Sequence, residues 1–304
     1  MSETSVMKSQ AEFDVIITTT EMHTGGEPVR IIESGYPVPQ GTTIQDKIEY
    51  LRKNHDTFRK MTMWEPRGHF DMYGVLLVTP DHPEADIGVI FLHNEGYSQM
   101  CGHAVVSMGR YAVDRGLLKR PITSPRTRVN IQAPCGLVRA DVQVDNGQGV
   151  KTGRVCFESV SSFVVTTDYV STAEAKDKVK LSHPENPAYL YGVIVIDSRE
   201  EKADGHSTNV CVFADSETDR SPCGSGTTAR VTLMYHRGLL ALGERHVFRS
   251  GVTGSEFVAW PEQETEVAEQ KAVTIKLEGQ GYYTGRSTLS LERGDILGRG
   301  FLVR

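Results

Sequence analysis

The chain contains Cys101-Gly102 followed, twelve residues later, by Arg115-Gly116-Leu117-Leu118, and it repeats this pattern. The second copy is Cys223-Gly224 followed at the same distance by Arg237-Gly238-Leu239-Leu240. Ten residues before each cysteine lies a phenylalanine, Phe91 or Phe213, in a short apolar run. Each copy therefore predicts a buried strand, a loop, a Cys-Gly pair and a helix that ends at a glycine. Two copies of one unit predict two related halves, each of which presents one thiol.

The composition is that of a globular protein long enough for two domains. The chain has 304 residues, a formal net charge of -6 and no long run of basic residues, which argues against nucleic-acid binding. No stretch approaches the roughly 18 apolar residues of a membrane helix. The first residues lack the basic and apolar regions of a signal peptide. We therefore expect a cytoplasmic protein that binds neither nucleic acid nor membrane.

The five cysteines are too few, too far apart and odd in number for a disulfide framework or a zinc site. Only Cys101 and Cys223 precede a predicted helix. Cys135 is followed by the alternating pattern of a strand, and Cys156 and Cys211 lie inside strand patterns. These last three cysteines are expected to be structural.

Hydrophobic periodicity predicts many strands and few helices. Helices are predicted over 44–61, after Cys101, over 172–179 and after Cys223. Strands are predicted over 15–20, 29–32, 72–78, 86–92, 129–132, 137–144, 155–158, 163–167 and 191–197. The order of these elements indicates an α+β (mixed α/β) protein rather than an alternating βαβ one. We expect an N-terminal half over 1–155 with Cys101, to which strands near 282–304 could return, and a C-terminal half over 156–304 with Cys223.

A thiol at the start of a helix is suited to acid–base chemistry. The unpaired N–H groups and positive dipole end lower the pKa of a thiol and can also hold a carboxylate. Gly102 and Gly224 leave those N–H groups uncovered. A single Cys-Gly pair is often no more than a small core residue and its neighbour, but two matched copies favour a functional pair.

Polar residues flank both thiols. Asp219 lies four residues before Cys223, where a carboxylate could pair with a cationic amine, although aspartate is also common in turns. His103 follows Cys101-Gly102 and could hydrogen-bond or tune the thiol. Ser225 adds a hydroxyl and an N–H group at the second helix.

Two further segments are rich in glycine and polar residues, 23–28 and 65–69. They are consistent either with functional loops or with tight turns, one of them holding Arg67 in an ion pair. Neither has the spacing of a metal site, and no nucleotide or metalloprotease motif is present. We therefore predict no metal and no cofactor.

At these residues the chain resembles the proline racemase family. The resemblance rests on His23-Thr24-Gly25-Gly26-Glu27-Pro28, Glu65-Pro66-Arg67-Gly68-His69, Met100-Cys101-Gly102-His103 and Asp219-Arg220-Ser221-Pro222-Cys223-Gly224-Ser225-Gly226-Thr227. The family includes proline racemases, hydroxyproline epimerases and trans-3-hydroxy-L-proline dehydratases. Its members share the fold of diaminopimelate epimerase, in which two pseudo-symmetric halves each wrap a curved sheet around a central helix.

The resemblance also implies roles for individual residues. Cys101 and Cys223 would be the acid/base pair, and Asp219 would bind the ring nitrogen of proline or hydroxyproline. The substrate carboxylate would be held by Gly102, His103, Gly224 and Ser225. No cofactor would be needed, and a homodimer is what the family suggests.

The second thiol separates the activities within this family. A racemase needs a group on each face of the α-carbon, whereas a dehydratase needs only one base, and animal-type dehydratases carry threonine at the second position. Cys223 therefore favours a racemase or epimerase. The segments 93–97 and 235–240 nevertheless resemble the animal dehydratase branch, so dehydration with Cys101 as base is the alternative.

One departure from the family pattern lies in the second half. Family members carry several tens of further residues after the strand at Val164–Val170, whereas this chain passes directly to Ser171-Thr172-Ala173-Glu174. The loss of internal strands would open sheet edges and remove part of the pocket wall. A second alternative is therefore an inactive, truncated member of the family.

Overall fold

The computed structural model describes residues 13–147, 149–164, 191–196 and 206–303. The helices are α1 (Ile44–Asn54), α2 (Asp56–Met63), α3 (Gly102–Asp114) and α4 (Gly224–His236). The strands of the first part are β1 (Phe13–Thr24), β2 (Glu27–Ser34), β3 (Gly74–Val78), β4 (Ile87–Leu92), β5 (Tyr97–Ser98), β6 (Arg126–Ala133), β7 (Gly136–Asp145) and β8 (Lys151–Glu158). The remaining strands are β9 (Ser162–Phe163), β10 (Gly192–Ile196), β11 (His206–Phe213), β12 (Glu217–Thr218), β13 (His246–Ser250), β14 (Glu256–Val267), β15 (Gln270–Gly279) and β16 (Gly281–Glu292).

These strands join in one continuous hydrogen-bonded ladder. Its order is β10-β11-β13-β14-β15-β8-β7-β6-β4-β3-β2-β1-β16, with the short strands β5, β9 and β12 attached at its sides. Most neighbours are antiparallel, but β2–β3, β4–β6 and β11–β13 are parallel. The last strand, β16, pairs along the whole of β1. The predicted mixed α/β architecture is confirmed.

The two helices that follow the cysteines lie against this sheet. Helix α3 packs on β6, β7, β8, β1 and β2, and α4 packs on β9, β14 and β15. Eleven of the thirteen residues of α3 are buried, so its sequence is apolar or small nearly all round. Gly109 lets the helix approach β8 closely, because a Cβ atom there would lie 2.9 Å from a methyl carbon of Val155.

The repeated sequence pattern corresponds to a repeated structural unit. In the first copy, β4 pairs antiparallel with β3 and β5, and after α3 the chain returns as the parallel strand β6. In the second copy, β11 pairs antiparallel with β10 and β12, and after α4 the chain returns as the parallel strand β13. Gly116 and Gly238 end the two helices with nearly equal positive φ angles of 64° and 68°. The predicted strand–loop–helix duplication is therefore present.

The predicted single helix over 44–61 is wrong, since two helices occupy this segment. Thr43 caps α1 with a capping box shared with Asp46, and α1 ends at His55, which also precedes α2. His55 has the non-helical angles φ -140° and ψ 21°, and its ring lies against Tyr50 and Phe58. The non-helical turn at His55 therefore divides the segment into two short helices, each with its own buried residues.

Other boundaries differ less. Strand β3 begins at Gly74, so Met72 and Tyr73 precede it. The predicted helix over 172–179 and most of the predicted strand over 163–167 lie outside the described residues, as does the point where family residues are predicted to be missing. In the part of the chain that the structure describes, none of the helices has the length and apolarity needed to cross a membrane.

Candidate active site

Both predicted cysteines cap helices. Cys101 precedes α3, and its Sγ accepts the N–H of Ala104 at 3.4 Å. Cys223 precedes α4, and its Sγ accepts the N–H of Gly226 at 3.3 Å. Each thiol therefore occupies the position of an N-cap side chain and touches the positive end of its helix.

Each helix also has free donors in its first turn. Its backbone hydrogen bonds begin at Val105 N–H to Cys101 O and at Thr227 N–H to Cys223 O. Four N–H groups come before these bonds and do not donate to a sulfur atom. They belong to Gly102, His103, Gly224 and Ser225. Groups of this kind bind carboxylates and phosphates at helix ends.

The two helix ends meet at their glycines. A Cβ atom on Gly102 would lie 2.6 Å from Cα of Gly224, and a Cβ atom on Gly224 would collide with Gly102 in return. Only two glycines permit this approach. The residues that carry the four N–H groups consequently lie at one cavity.

A cavity of about 210 Å³ opens at this junction. Both thiols line it, together with the first residues of both helices, Asp219, Tyr73 and Tyr191. It has room for a ligand the size of a small amino acid. Every predicted site residue (Cys101, Gly102, His103, Asp219, Cys223, Gly224 and Ser225) lies at this cavity.

The prediction that the helix ends lower the pKa of the two thiols is wrong, because the net shift of both pKa values is upward. Burial raises the pKa of Cys101 well above its usual value, although the Ala104 N–H acts in the opposite direction. The pKa of Cys223 is raised chiefly by a hydrogen bond with Cys211, and then by burial. Since both thiols are about 95% inaccessible, desolvation outweighs the helix dipole. Both thiols are therefore protonated at neutral pH.

His103 lies beside the first thiol. Its Nδ1 is 3.2 Å from the Sγ of Cys101, and Tyr73 packs edge-on against its ring. Burial lowers the pKa of His103 to about 3. The imidazole is therefore neutral and acts through hydrogen bonding rather than through charge.

Asp219 organises the loop that carries Cys223. Its Oδ1 accepts both the N–H and the hydroxyl of Ser221, and the Ser221 hydroxyl in turn accepts the N–H of Cys223 at 3.0 Å. Cys223 has φ 67°, a left-handed conformation that is unfavourable for a residue with a side chain. Two hydrogen bonds hold this conformation: Cys223 N–H donates to Ser221 Oγ, and Asn209 Nδ2 donates to Pro222 O. Burial raises the pKa of Asp219 above its usual range.

Two more buried carboxyls lie behind Asp219. Glu27 is inaccessible, and its Oε2 accepts the N–H of Arg220 at 2.7 Å. Glu217 is also inaccessible and accepts the N–H of Asn94 at 2.9 Å. Burial raises the pKa of Glu27 well above its usual value and that of Glu217 to about 8. In the sequence, Glu27 stands out only as part of the 23–28 motif, and no signal marks Glu217.

The segments 23–28 and 65–69 are turns with structural contacts. Gly25 O accepts the hydroxyl of Ser255 at 2.9 Å, which ties the β1–β2 turn to the second half. Arg67 donates to the carbonyls of Ser290 and Gly298, and its ion pair with Asp295 is long, at 3.9 Å. The interpretation as tight turns therefore fits both segments. The turn at 23–28 also packs against the loop at 219–223.

Among the cavity residues that were missed from the sequence, three carry a hydroxyl or a thiol. Tyr73 directly precedes β3, Tyr191 directly precedes β10, and Cys211 lies in β11. Cys211 was interpreted as structural because it lies in a strand, yet that strand faces the cavity. Its alternation with Phe213, which lines the same wall, is the sequence signal that could have placed it. No local signal marks Tyr73 or Tyr191.

Two thiols and two helix ends around one cavity are the groups that acid–base chemistry on a small anionic substrate requires. The fold around it is the two-unit, mixed α/β architecture described above. The chain belongs to the proline racemase family. The sequence model of that family, described as "Proline racemase", matches residues 19–172 and 170–302.

Similar proteins carry two kinds of name. A trans-L-3-hydroxyproline dehydratase from Xenopus tropicalis is 43% identical, over 95% of this chain and 96% of its own length. A trans-3-hydroxy-L-proline dehydratase from Homo sapiens is 40% identical, over 95% of both chains. Among solved structures, a hydroxyproline epimerase from Agrobacterium vitis with bound trans-4-hydroxy-L-proline superposes with a TM-score of 0.83, covers 96% of both chains and is 23% identical. The expected fold is thereby confirmed, and the family consists of enzymes that isomerise or dehydrate these imino acids.

The comparisons also bear on the predicted missing segment. The frog protein aligns over 337 positions, more than the 304 residues of this chain, so it carries residues that this chain lacks. The two stretches that match the family model meet at 170–172, where the sequence predicts the gap.

Proposed function

We propose that this protein is a cofactor-independent racemase or epimerase of proline or hydroxyproline, with Cys101 and Cys223 as its acid and base. The observation that carries the proposal is the meeting of two thiol-capped helix ends at one cavity. A racemase must remove a proton from one face of the α-carbon and return one to the other face. Two thiols from two different helices satisfy that requirement.

The substrate carboxylate is bound by the N–H groups of Gly102, His103, Gly224 and Ser225. As one thiolate removes the α-proton, negative charge moves into this carboxylate, where fixed N–H donors stabilise it. The opposite thiol then donates its proton to the other face of the α-carbon. The thiols exchange roles for the reverse reaction.

Asp219 binds the ring nitrogen of the substrate. It is buried at the cavity and held by Ser221, so it offers a fixed acceptor to a secondary ammonium group. The positive charge of that ammonium offsets the cost of a buried thiolate. Substrate binding is thus expected to lower the raised pKa of the thiols.

The second candidate is dehydration of trans-3-hydroxy-L-proline with Cys101 as base. It is favoured by the relatives of 39–43% identity that carry this name, among them bacterial proteins as well as animal ones. Against it stands Cys223, because a dehydratase has no need of a second thiol. Both activities begin with the same step, removal of the α-proton.

The decisive experiment incubates the protein in D2O with L-proline, 4-hydroxyproline and trans-3-hydroxy-L-proline and follows the proton NMR spectrum. A racemase or epimerase exchanges the α-hydrogen and inverts the centre, whereas a dehydratase forms a cyclic imine. Cys101→Ser and Cys223→Ser should each abolish racemisation, and Cys135→Ser is the matched control because Cys135 lies in the β6–β7 turn. Full racemisation by Cys223→Ser would refute the two-thiol mechanism.

An inactive family member gives a different result. Such a protein would fail to bind pyrrole-2-carboxylate, a planar mimic of deprotonated proline. We expect binding that is competitive with proline.

We also propose a cytoplasmic location, a homodimer and a division into halves at 1–155 and 156–304. Five free cysteines support a reducing compartment. The two similar strand–helix units support the division, and the family resemblance supports the dimer. Light scattering on the purified protein tests the dimer directly.

A further inference from the structure

The cavity contains a phenol to which the proposed mechanism gives no role. Tyr73 lines the cavity, is only 2% exposed, and directly precedes β3. Its hydroxyl makes a short hydrogen bond with the hydroxyl of Ser98 in β5. This phenol lines the same cavity as the thiol of Cys101, and it acts to lower the pKa of that thiol against the effect of burial.

The ring of Tyr73 is held in a fixed orientation. It packs edge-on against His103 with ring centroids 4.8 Å apart, and it lies parallel to His93 at 6.0 Å. Phe91 and Phe213 pack around it at 6.4 and 6.3 Å. The hydroxyl of Tyr73 therefore has a fixed place at the wall of the cavity in which the substrate is proposed to bind.

Stereochemistry shows what this hydroxyl could bind. In trans-3-hydroxy-L-proline the hydroxyl and the carboxylate lie on opposite faces of the ring. The α-hydrogen, which is opposite the carboxylate at its own carbon, therefore shares a face with the 3-hydroxyl. If Cys101 removes that hydrogen, the 3-hydroxyl lies on the side of Cys101 and hence of Tyr73.

We propose that Tyr73 binds the 3-hydroxyl of the substrate and supplies the proton with which it leaves as water. This inference rests on the proposed site and deepens its second activity. The Cys101 thiolate takes the α-proton, the electrons of that C–H bond form the C2–C3 double bond, and the C3–O bond breaks. The leaving hydroxyl takes the phenol proton, and the enamine left behind tautomerises to the cyclic imine.

A proton transfer between Cys101 and Tyr73, which line the same cavity, completes the cycle. After water has formed, Tyr73 is a phenolate and Cys101 is a thiol. Transfer of the thiol proton to the phenolate restores both starting forms, so the net change is loss of one water from the substrate. Ser98 positions the phenol and is not itself a catalytic residue.

The test compares two rates, dehydration of trans-3-hydroxy-L-proline and α-hydrogen exchange of L-proline in D2O. Tyr73→Phe removes the acid, and we expect the ratio of dehydration to exchange to fall on the order of 100-fold. Ser98→Ala should lower the same ratio by about tenfold, because the phenol loses its orienting partner. Tyr36→Phe is the control, since Tyr36 is a buried tyrosine of the other core cluster, around α1 and α2.

Three results would overturn the inference. The first is an unchanged ratio in Tyr73→Phe. The second is an equal loss of both rates while pyrrole-2-carboxylate still binds, because the phenol would then act only on the thiol. The third is a wild-type protein that exchanges proline but never dehydrates the 3-hydroxy substrate, which would leave the isomerase proposal intact. Absence of exchange with every substrate would instead refute the proposed function itself.

Discussion

Gly102 and Gly224 face each other so closely that a Cβ atom on Gly102 would lie 2.6 Å from Cα of Gly224. Each glycine is the first residue of a helix and follows a thiol. Their approach brings two helix dipoles of the same sign together, which is unfavourable unless an anion lies between them. The fold thus holds a site whose electrostatics favour a carboxylate.

We predict that Gly102→Ala lowers kcat/KM by at least about 100-fold, because displacing one helix end by roughly 1 Å separates the donors from the thiols. The contact is between backbones, so no side chain can move to relieve it. Steady-state kinetics measures the loss of kcat/KM, and a thermal melt measures any loss of stability that the backbone contact causes. Gly285→Ala is the control, since a Cβ atom at Gly285 meets open space. Wild-type activity in Gly102→Ala would show that the helix ends need not touch.

Much of this site could be predicted from the sequence because its signals are local. The Cys-Gly pair, the apolar run before it and the glycine after the helix all lie within one unit, and each unit folded as predicted. Tyr73 could not be found in this way, because strand pairing rather than chain proximity brings it to Cys101. The thiol pKa was misjudged for a related reason. A helix start is visible in a sequence, whereas the burial that outweighs it depends on the whole fold.

The raised thiol pKa values predict a clear pH dependence. Both thiols of the free protein are protonated at neutral pH, and the thiolate is the reactive form. The rate of alkylation by iodoacetamide at Cys101 and Cys223 should therefore keep rising with pH beyond 9. Mass spectrometry of tryptic peptides gives the rate at each cysteine. A rate that levels off below pH 8 would contradict the burial argument.

The raised pKa of Glu217 predicts that the protein becomes less stable as pH rises. Its pKa in the folded protein is about 8, against 4.5 for an unperturbed glutamate. The folded state therefore holds its proton more tightly than the unfolded state does. The resulting stabilisation is complete below pH 4.5 and is lost as pH rises through the folded pKa near 8, a change of up to about 5 kcal/mol.

Glu217→Gln should remove this dependence, because an amide stays neutral and can still accept the N–H of Asn94. Urea unfolding of wild type and variant between pH 5 and pH 9 measures the difference in free energy of unfolding. We expect the free energy of unfolding of Glu217→Gln to increase relative to that of the wild type as pH increases. Glu256→Gln is the control, because Glu256 lies at the surface. Parallel curves for Glu217→Gln and wild type would mean that Glu217 is ionised in the folded protein.

The last prediction concerns the pKa of the second thiol, Cys223, and its neighbour Cys211. Its hydrogen bond with Cys223 is the largest cause that raises the pKa of Cys223. Cys211→Ala removes that partner but leaves the helix N–H of Gly226 in place. The pKa of Cys223 should therefore fall, and its alkylation should begin at lower pH.

The measurement is made in a Cys101→Ser background, so that only one cavity thiol reacts besides Cys211. Cys156→Ala is the matched control, because Cys156 lies in β8 and does not line the cavity. An unchanged midpoint for Cys223 would show that burial alone sets its pKa, and that Cys211 is no more than part of the cavity wall.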